Sequence, residues 1–196
     1  NIPQMTLPNL QHLDLTDNVI EEMNTNVFLG LLNLKVLVLT RNPLETITSE
    51  PTNQHHYVLR TIDLSFTKLK VFSSSKFSAF RMLQYLNLSH TALETIDQDG
   101  FRHTPALVNL DVRASPVIKF PADVFEGLTD LRQIFSPTYK LCCRQLLPSH
   151  FDEHFCEAPQ DEISSCEDLL RSEMYRLSLW MMSVLALTGN MFCLVF

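Results

Sequence analysis

With 196 residues, 45% of them hydrophobic, and a net charge of −7, the chain is long enough for one main domain and a small second unit. The acidic balance excludes the basic footprint on which nucleic-acid binding depends and permits a basic partner. Apolar residues are unevenly spread, and that unevenness divides the chain into 1–138, 139–174 and 175–196.

The N-terminal Asn1-Ile2-Pro3 carries neither the basic nor the apolar region of a signal peptide. Soon after it a frame begins to recur. Leu10-Gln-His-Leu13-Asp-Leu15-Thr-Asp-Asn18 fits L-x-x-L-x-L-x-x-N, and the same spacing returns from Leu34, Leu59, Leu83 and Leu107, with a sixth start at Leu131-Arg-Gln-Ile134. The starts lie 24, 25, 24, 24 and 24 residues apart. Ile20, Leu44, Leu69, Leu93 and Val117 keep step, as do Phe28, Phe77, Phe101 and Phe125. This is the leucine-rich repeat, an α/β solenoid whose units cannot bury an apolar side alone and therefore stack.

Each L-x-L is a short strand, leucines inward and intervening residues outward. Strands are expected near 12–15, 36–39, 61–64, 85–88 and 109–112, forming a curved parallel sheet. The ninth-position Asn satisfies turn backbone, whereas Thr67, Thr91 and Ser115 offer one donor in place of two. The second repeat has Thr52 where the others carry Phe, so an irregular loop is expected at Pro51–His56.

The outward residues form columns, and one reads Asp14, Val38, Asp63, Asn87, Asp111. Asp14, Asp63 and Asp111, with Tyr85 and Asn87 beside them, are the candidate ligand-binding residues, suited to arginines or lysines of a partner. A carboxylate between two leucines is also simply compatible with a solvated face. Asn87-Leu88-Ser89 is an N-glycosylation sequon on that same face.

Beyond the repeats, Leu141-Cys-Cys-Arg-Gln-Leu-Leu-Pro148 is expected to cap the solenoid. Cys142, Cys143, Cys156 and Cys166 form an even cluster beside an apolar run, which points to disulfides in an oxidising compartment. Adjacent cysteines strain a mutual bond, so Cys142 and Cys143 are each expected to pair with Cys156 or Cys166, in an order the spacing leaves open. His150-Phe-Asp-Glu-His154 has metal-compatible spacing, but it is loop-like and Cys156 is wanted for a disulfide, so no metal is expected. No nucleophile elbow, phosphate loop or paired-acid motif occurs; neither an enzyme nor a cofactor is expected. Residues 177–196 carry no charge, the length a helix needs to cross a bilayer, and the chain stops inside this run.

Ser165-Cys-Glu-Asp-Leu-Leu170, Tyr175-Arg-Leu-Ser-Leu-Trp180 and Val184-Leu-Ala-Leu-Thr-Gly-Asn190 resemble the join between ectodomain and first helix in leucine-rich-repeat-containing G-protein-coupled receptors. The resemblance is generic across the repeats and specific across 139–196. The short hinge looks most like that of relaxin-type receptors, and the Cys-Cys cap is shared with glycoprotein-hormone receptors. Relaxin-type receptors typically lack the second cap cysteine and carry an aromatic residue at the position of Cys166. The resemblance implies a plasma-membrane receptor with repeats and hinge outside the cell. It further implies a peptide or protein hormone on the repeats and a heterotrimeric G protein inside. Gly189 and Asn190 match a pair within the first helix, and Glu167, Asp168, Leu169 and Leu170 match a stretch that acts as a built-in activator. The rival reading is a single-span adhesion or innate-immune repeat receptor.

Overall fold

The computed structural model describes residues 2, 6–50, 58–159, 166 and 173–193, with side chains of the last segment described over 177–187. These fall into two compact units, Asn1–Ala158 and Pro159–Phe196.

The first unit is a solenoid. Strands β1 (His12–Asp14), β3 (Val36–Val38), β5 (Thr61–Asp63), β7 (Tyr85–Asn87) and β9 (Asn109–Asp111) lie where the repeat frame places them, each ending one residue early. With β10 (Gln133–Phe135) and β11 (Cys156–Glu157) they make a seven-stranded, all-parallel sheet in the order β1-β3-β5-β7-β9-β10-β11. The inward residues Leu37, Ile62, Leu86, Leu110 and Ile134 are direct register partners in turn and are buried. Leu13, facing Leu37 alone, is only partly buried.

Each strand hands over to a turn whose eighth-position residue adopts a left-handed backbone: Asp17, Arg41, Phe66, His90 and Ala114, all with φ between 52° and 56°. The conformation keeps the ladder going, because the Asp17, Arg41, Phe66 and His90 N–H groups each donate to the next repeat. For an L-residue it costs roughly 1–2 kcal/mol. The methyl group of Ala114 can make no hydrogen bond that offsets this cost. Ala114→Gly is therefore expected to raise stability by about 0.5–1 kcal/mol in urea denaturation. A loss of stability would show the strain to be absent.

The ninth position ties repeats together. Asn42, buried, donates from Nδ2 to the Leu15 carbonyl of the preceding repeat at 2.9 Å and to its own Leu39 carbonyl at 2.9 Å, while Oδ1 accepts from Ile20 N–H at 3.1 Å. The Thr67 hydroxyl bonds locally, donating to the Leu64 carbonyl at 2.8 Å. The two hydroxyls that follow cooperate. Ser115 Oγ donates to the Leu88 carbonyl of the preceding repeat at 2.8 Å and accepts from Thr91 N–H at 3.1 Å.

The convex side holds two separate parallel pairs, β2 (Glu22–Asn24) with β4 (Thr46–Thr48), and β6 (Val71–Phe72) with β8 (Thr95–Ile96). The irregular loop expected at Pro51–His56 lies outside the described residues. Beneath this side runs a phenylalanine spine. Phe72 packs on Phe77 and Phe101 with ring centroids 5.3 and 4.9 Å away, and Phe101 on Phe125 at 5.9 Å, all fully or almost fully buried. Gly100 holds φ +52° immediately before Phe101, and a Cβ there would meet the Val124 carbonyl oxygen at 2.5 Å. Only glycine lets the chain turn Phe101 inward at that point.

The C-terminal end of the solenoid is closed by a 3-10 turn, Tyr139–Cys142, with Leu141, Leu147 and Phe151 buried over the last repeat. Arg144 donates to the Ser149 and Phe151 carbonyls, holding the following loop. A disulfide joins Cys142 to Cys156, with Cα atoms 5.6 Å apart. Its far end opens β11, so the bond delivers a seventh strand to the sheet. Cys143 and Cys166 are disulfide-bonded as well.

The second unit contains helix α1, Glu173–Cys193, whose 21 residues extend about 30 Å at 1.5 Å per residue. Its described side chains, Leu177 to Leu187, are all exposed, and eight are large and apolar. Among the described residues no helix is long and apolar enough to cross a membrane; the uncharged run itself extends to Phe196. Gly189 and Asn190 fall within the helix, but their side chains lie outside the described residues, as do Glu167, Asp168, Leu169 and Leu170 altogether.

Candidate ligand-binding face

The register aligns Asp14, Val38, Asp63, Asn87 and Asp111 as consecutive partners, so the expected column exists as a physical line across the sheet. Two further partners extend it, Phe135 and Glu157. Phe135 was legible in the sequence, since it stands four residues past the Leu131 start as Asp14 stands past Leu10. Glu157 was not, because its strand pairs two residues short of the repeat period.

Why carboxylates and amides occupy this column follows from the turn. Oδ1 of Asp14 accepts from Thr16 N–H at 2.9 Å, that of Asp63 from Ser65 N–H at 2.8 Å, and that of Asn87 from Ser89 N–H at 3.0 Å. Asp111 repeats the bond to Arg113 N–H at 3.0 Å. Each side chain satisfies a backbone donor two residues on, the Asx-turn arrangement that favours Asp and Asn there. The structural role is thus real, and charge is left over from it. At Asp14 the Thr16 hydroxyl, followed by the Thr16 N–H, holds the carboxyl below the usual carboxylate range, so it is ionised on the exposed face.

The three aspartates are not equivalent. Asp111 is neutralised within the chain: Arg113 reaches its Oδ2 at 2.6 Å and also lies over the Phe135 ring at 4.2 Å. That leaves Asp14 and Asp63 as the aspartates of the column with no ion pair among the described residues. Asp63, Asn87, Asp111 and Phe135 line a depression of about 170 Å³ with Tyr85, whose ring is 45% exposed. The face therefore presents an aromatic platform between acidic and amide groups, the composition that recognises a cationic side chain. The Asn87 sequon sits in the same depression, its carboxamide oxygen held by Ser89 N–H.

A second line of side chains, at the eighth positions, escaped the sequence reading. Asp17 and Arg41 form a bidentate pair at 2.7 and 3.0 Å, and the exposed Phe66 ring stacks on His90 at 4.5 Å with 2° between planes. The 24-residue spacing of these residues was available as a signal. What was missing was the left-handed turn that lines them up.

In the segment His150-Phe-Asp-Glu-His154 the parts do not converge on a common centre. Asp152 accepts from both the N–H and the Nδ1 of His154, at 3.0 and 2.7 Å, and this bond keeps the imidazole protonated to higher pH than a free histidine. Among the described residues no group of three metal-ligating side chains is assembled.

Residues 5–50 and 58–117 match the leucine rich repeat family model, more than half of the chain. A stacked parallel sheet, inward leucines and this match together place the protein in the leucine-rich repeat family. Its relatives include receptors of more than one kind. Over 67 residues the chain is 42% identical to G-protein coupled receptor GRL101 of Lymnaea stagnalis, covering 34% of this chain and 6% of that protein. It is 31% identical over 123 residues to leucine-rich repeat-containing G-protein coupled receptor 5 of Rattus norvegicus, covering 63% and 13%. Among solved structures, the TLR13–ssRNA13 complex superposes with a TM-score of 0.60 at 29% identity, over 68% of this chain and 20% of that one. The chain thus spans only a small part of the curated relatives it matches.

Proposed function

We propose that this chain is the membrane-proximal part of a seven-helix receptor whose concave face binds a basic peptide or protein ligand. The observation that carries the ligand reading is the pair of aspartates, Asp14 and Asp63, that make no ion pair among the described residues and stand on one line beside exposed Tyr85. The receptor reading rests on the likeness to two G-protein coupled receptors, on the hinge motif Cys166-Glu-Asp-Leu-Leu170 and on the uncharged run that follows. In this reading residues 177–196 cross the plasma membrane, the repeats lie outside the cell, and a heterotrimeric G protein is the inner partner. Glu167, Asp168, Leu169 and Leu170 carry the signal between them, and the relaxin-type receptors are the nearest subgroup by hinge length. A glycan at Asn87 would cover part of the face and leave the Asp14 end open.

The likeness to a Toll-like receptor solved with single-stranded RNA favours a second reading, a single-span innate-immune receptor. The acidic face weighs against RNA as the ligand here. Sequence beyond Phe196 separates the two: six further apolar spans, or a cytosolic tail opening on Lys and Arg.

One cell-surface experiment tests the ligand and hinge roles together. Asp14→Asn with Asp63→Asn keeps the turn acceptor, as Asn87 does naturally, and removes two charges. Affinity for a panel of basic peptides is expected to fall roughly two- to thirtyfold at low salt, from about 0.2–1 kcal/mol per exposed pair. Alanine at Glu167, Asp168, Leu169 and Leu170 should leave that affinity unchanged and reduce G-protein activation. Unaltered binding in the double variant sinks the face; full activation in the quadruple variant reduces the hinge to a tether.

A further inference from the structure

Beside the shallow depression lies a larger open cleft of about 550 Å³, within the size range of ligand pockets. Its walls come from distant parts of the chain: Tyr85 and Asn109 from the sheet, Arg132 and Gln133 from the last repeat, Asp152 and Phe155 from the cap. Two of these are exposed aromatic rings, Tyr85 and, at 55% exposure, Phe155. Apolar rings left in water at a concavity are anchors waiting for a partner ring.

The carboxylate and the glutamine amide of the cleft are already engaged within the chain. Asp152 is taken up by His154, and Gln133 Nε2 donates to Glu157 at 3.3 Å. Arg132, an exposed residue of the cleft lining, donates its backbone N–H to the Val108 carbonyl, and its guanidinium makes no ion pair among the described residues. The uncommitted charge of this cleft is therefore positive, opposite to that of the aspartate column. A guanidinium fork accepts a carboxylate in two parallel bonds.

We infer that the cleft binds a peptide segment of a partner protein in which an aromatic side chain stands next to a carboxylate. The ring enters between Tyr85 and Phe155, and the carboxylate meets Arg132. A peptide fits better than a compact metabolite because Tyr85 is a shared wall. The same ring lines the adjoining depression with Asp63, Asn87, Asp111 and Phe135. A chain crossing Tyr85 fills both hollows in succession, a basic residue on one side and an acidic-aromatic residue on the other. This deepens the reading of the concave face as a ligand site, and its test is independent of that reading.

N-acetyl-phenylalanine and its uncharged amide, titrated into the full chain in lipid nanodiscs, are the probes. Saturation-transfer NMR reads binding, with empty nanodiscs as the blank. The acid is expected to bind and the amide about tenfold more weakly, the effect of losing one charge-assisted contact. Arg132→Gln and Phe155→Ala each change an exposed side chain and should weaken the acid by a similar factor, while Asp14→Asn with Asp63→Asn leaves it unchanged. No transfer to the acid, equal binding of acid and amide, or insensitivity to either cleft variant overturns the proposal. Acid binding that survives in the double aspartate variant, in a protein that ignores basic peptides, would sink the basic-ligand reading and leave the cleft standing.

Discussion

Replacing Phe101 by alanine is expected to destabilise the repeat unit by about 3–5 kcal/mol, the range for truncating a buried phenylalanine. The ring is fully buried and packs on Phe72 in one direction and Phe125 in the other. Its loss therefore opens a void at two repeat interfaces at once, and in a solenoid those nearest-neighbour interfaces carry most of the stability. Phe66→Ala is the matched control. That ring is half exposed and held on a left-handed residue, so its removal should stay within about 0.5 kcal/mol. Urea or guanidinium unfolding followed by circular dichroism measures both. Equal losses for Phe66 and Phe101 would show that the spine does not bear the stack.

The second large effect concerns the cap. Cys142→Ala with Cys156→Ala removes a bond that closes a loop of sequence separation 14, worth about 3 kcal/mol in the chain-entropy account. For a unit of this size that corresponds to a melting-temperature drop of roughly 6–12 °C. The loss should be local in origin. Strand β11 owes its place to the bond, and Ser136 N–H, which donates to the Glu157 carbonyl at 2.7 Å, should lose its protection from hydrogen exchange first. Strands β1 to β7 have their own leucine stack and should keep their protection. A melting temperature that does not move would mean that Leu141, Leu147 and Phe151 hold the cap unaided.

The division between what was legible early and what was not follows from the range of the interactions concerned. The strands at 12, 36, 61, 85 and 109 were readable from the chain alone. Every inward leucine must meet its neighbour in register, and a 24-residue period leaves one way to do so. Phe77, Phe101 and Phe125 of the phenylalanine spine follow from the same period, as does the column Asp14, Asp63, Asn87, Asp111, whereas Phe72, which links Phe77 to Phe101, stands outside the periodic set. Which members of that column keep a charge outside any ion pair was decided by contacts. Asp111 is spent on Arg113 and Asp14 is not, although the repeat frame treats them alike; the difference is a residue two places on that happens to be arginine. The cleft between Tyr85 and Phe155 had no sequence signal, because no periodicity joins a repeat strand to a cap loop seventy residues later. It took the Cys142–Cys156 bond and the buried Phe151 to fold residues 150–157 back against the sheet edge. Local pattern determined the scaffold of this protein, since each repeat solves the same burial problem with the same letters. Tertiary structure decided its chemistry, since a charge is available or spent according to which side chain the fold sets beside it.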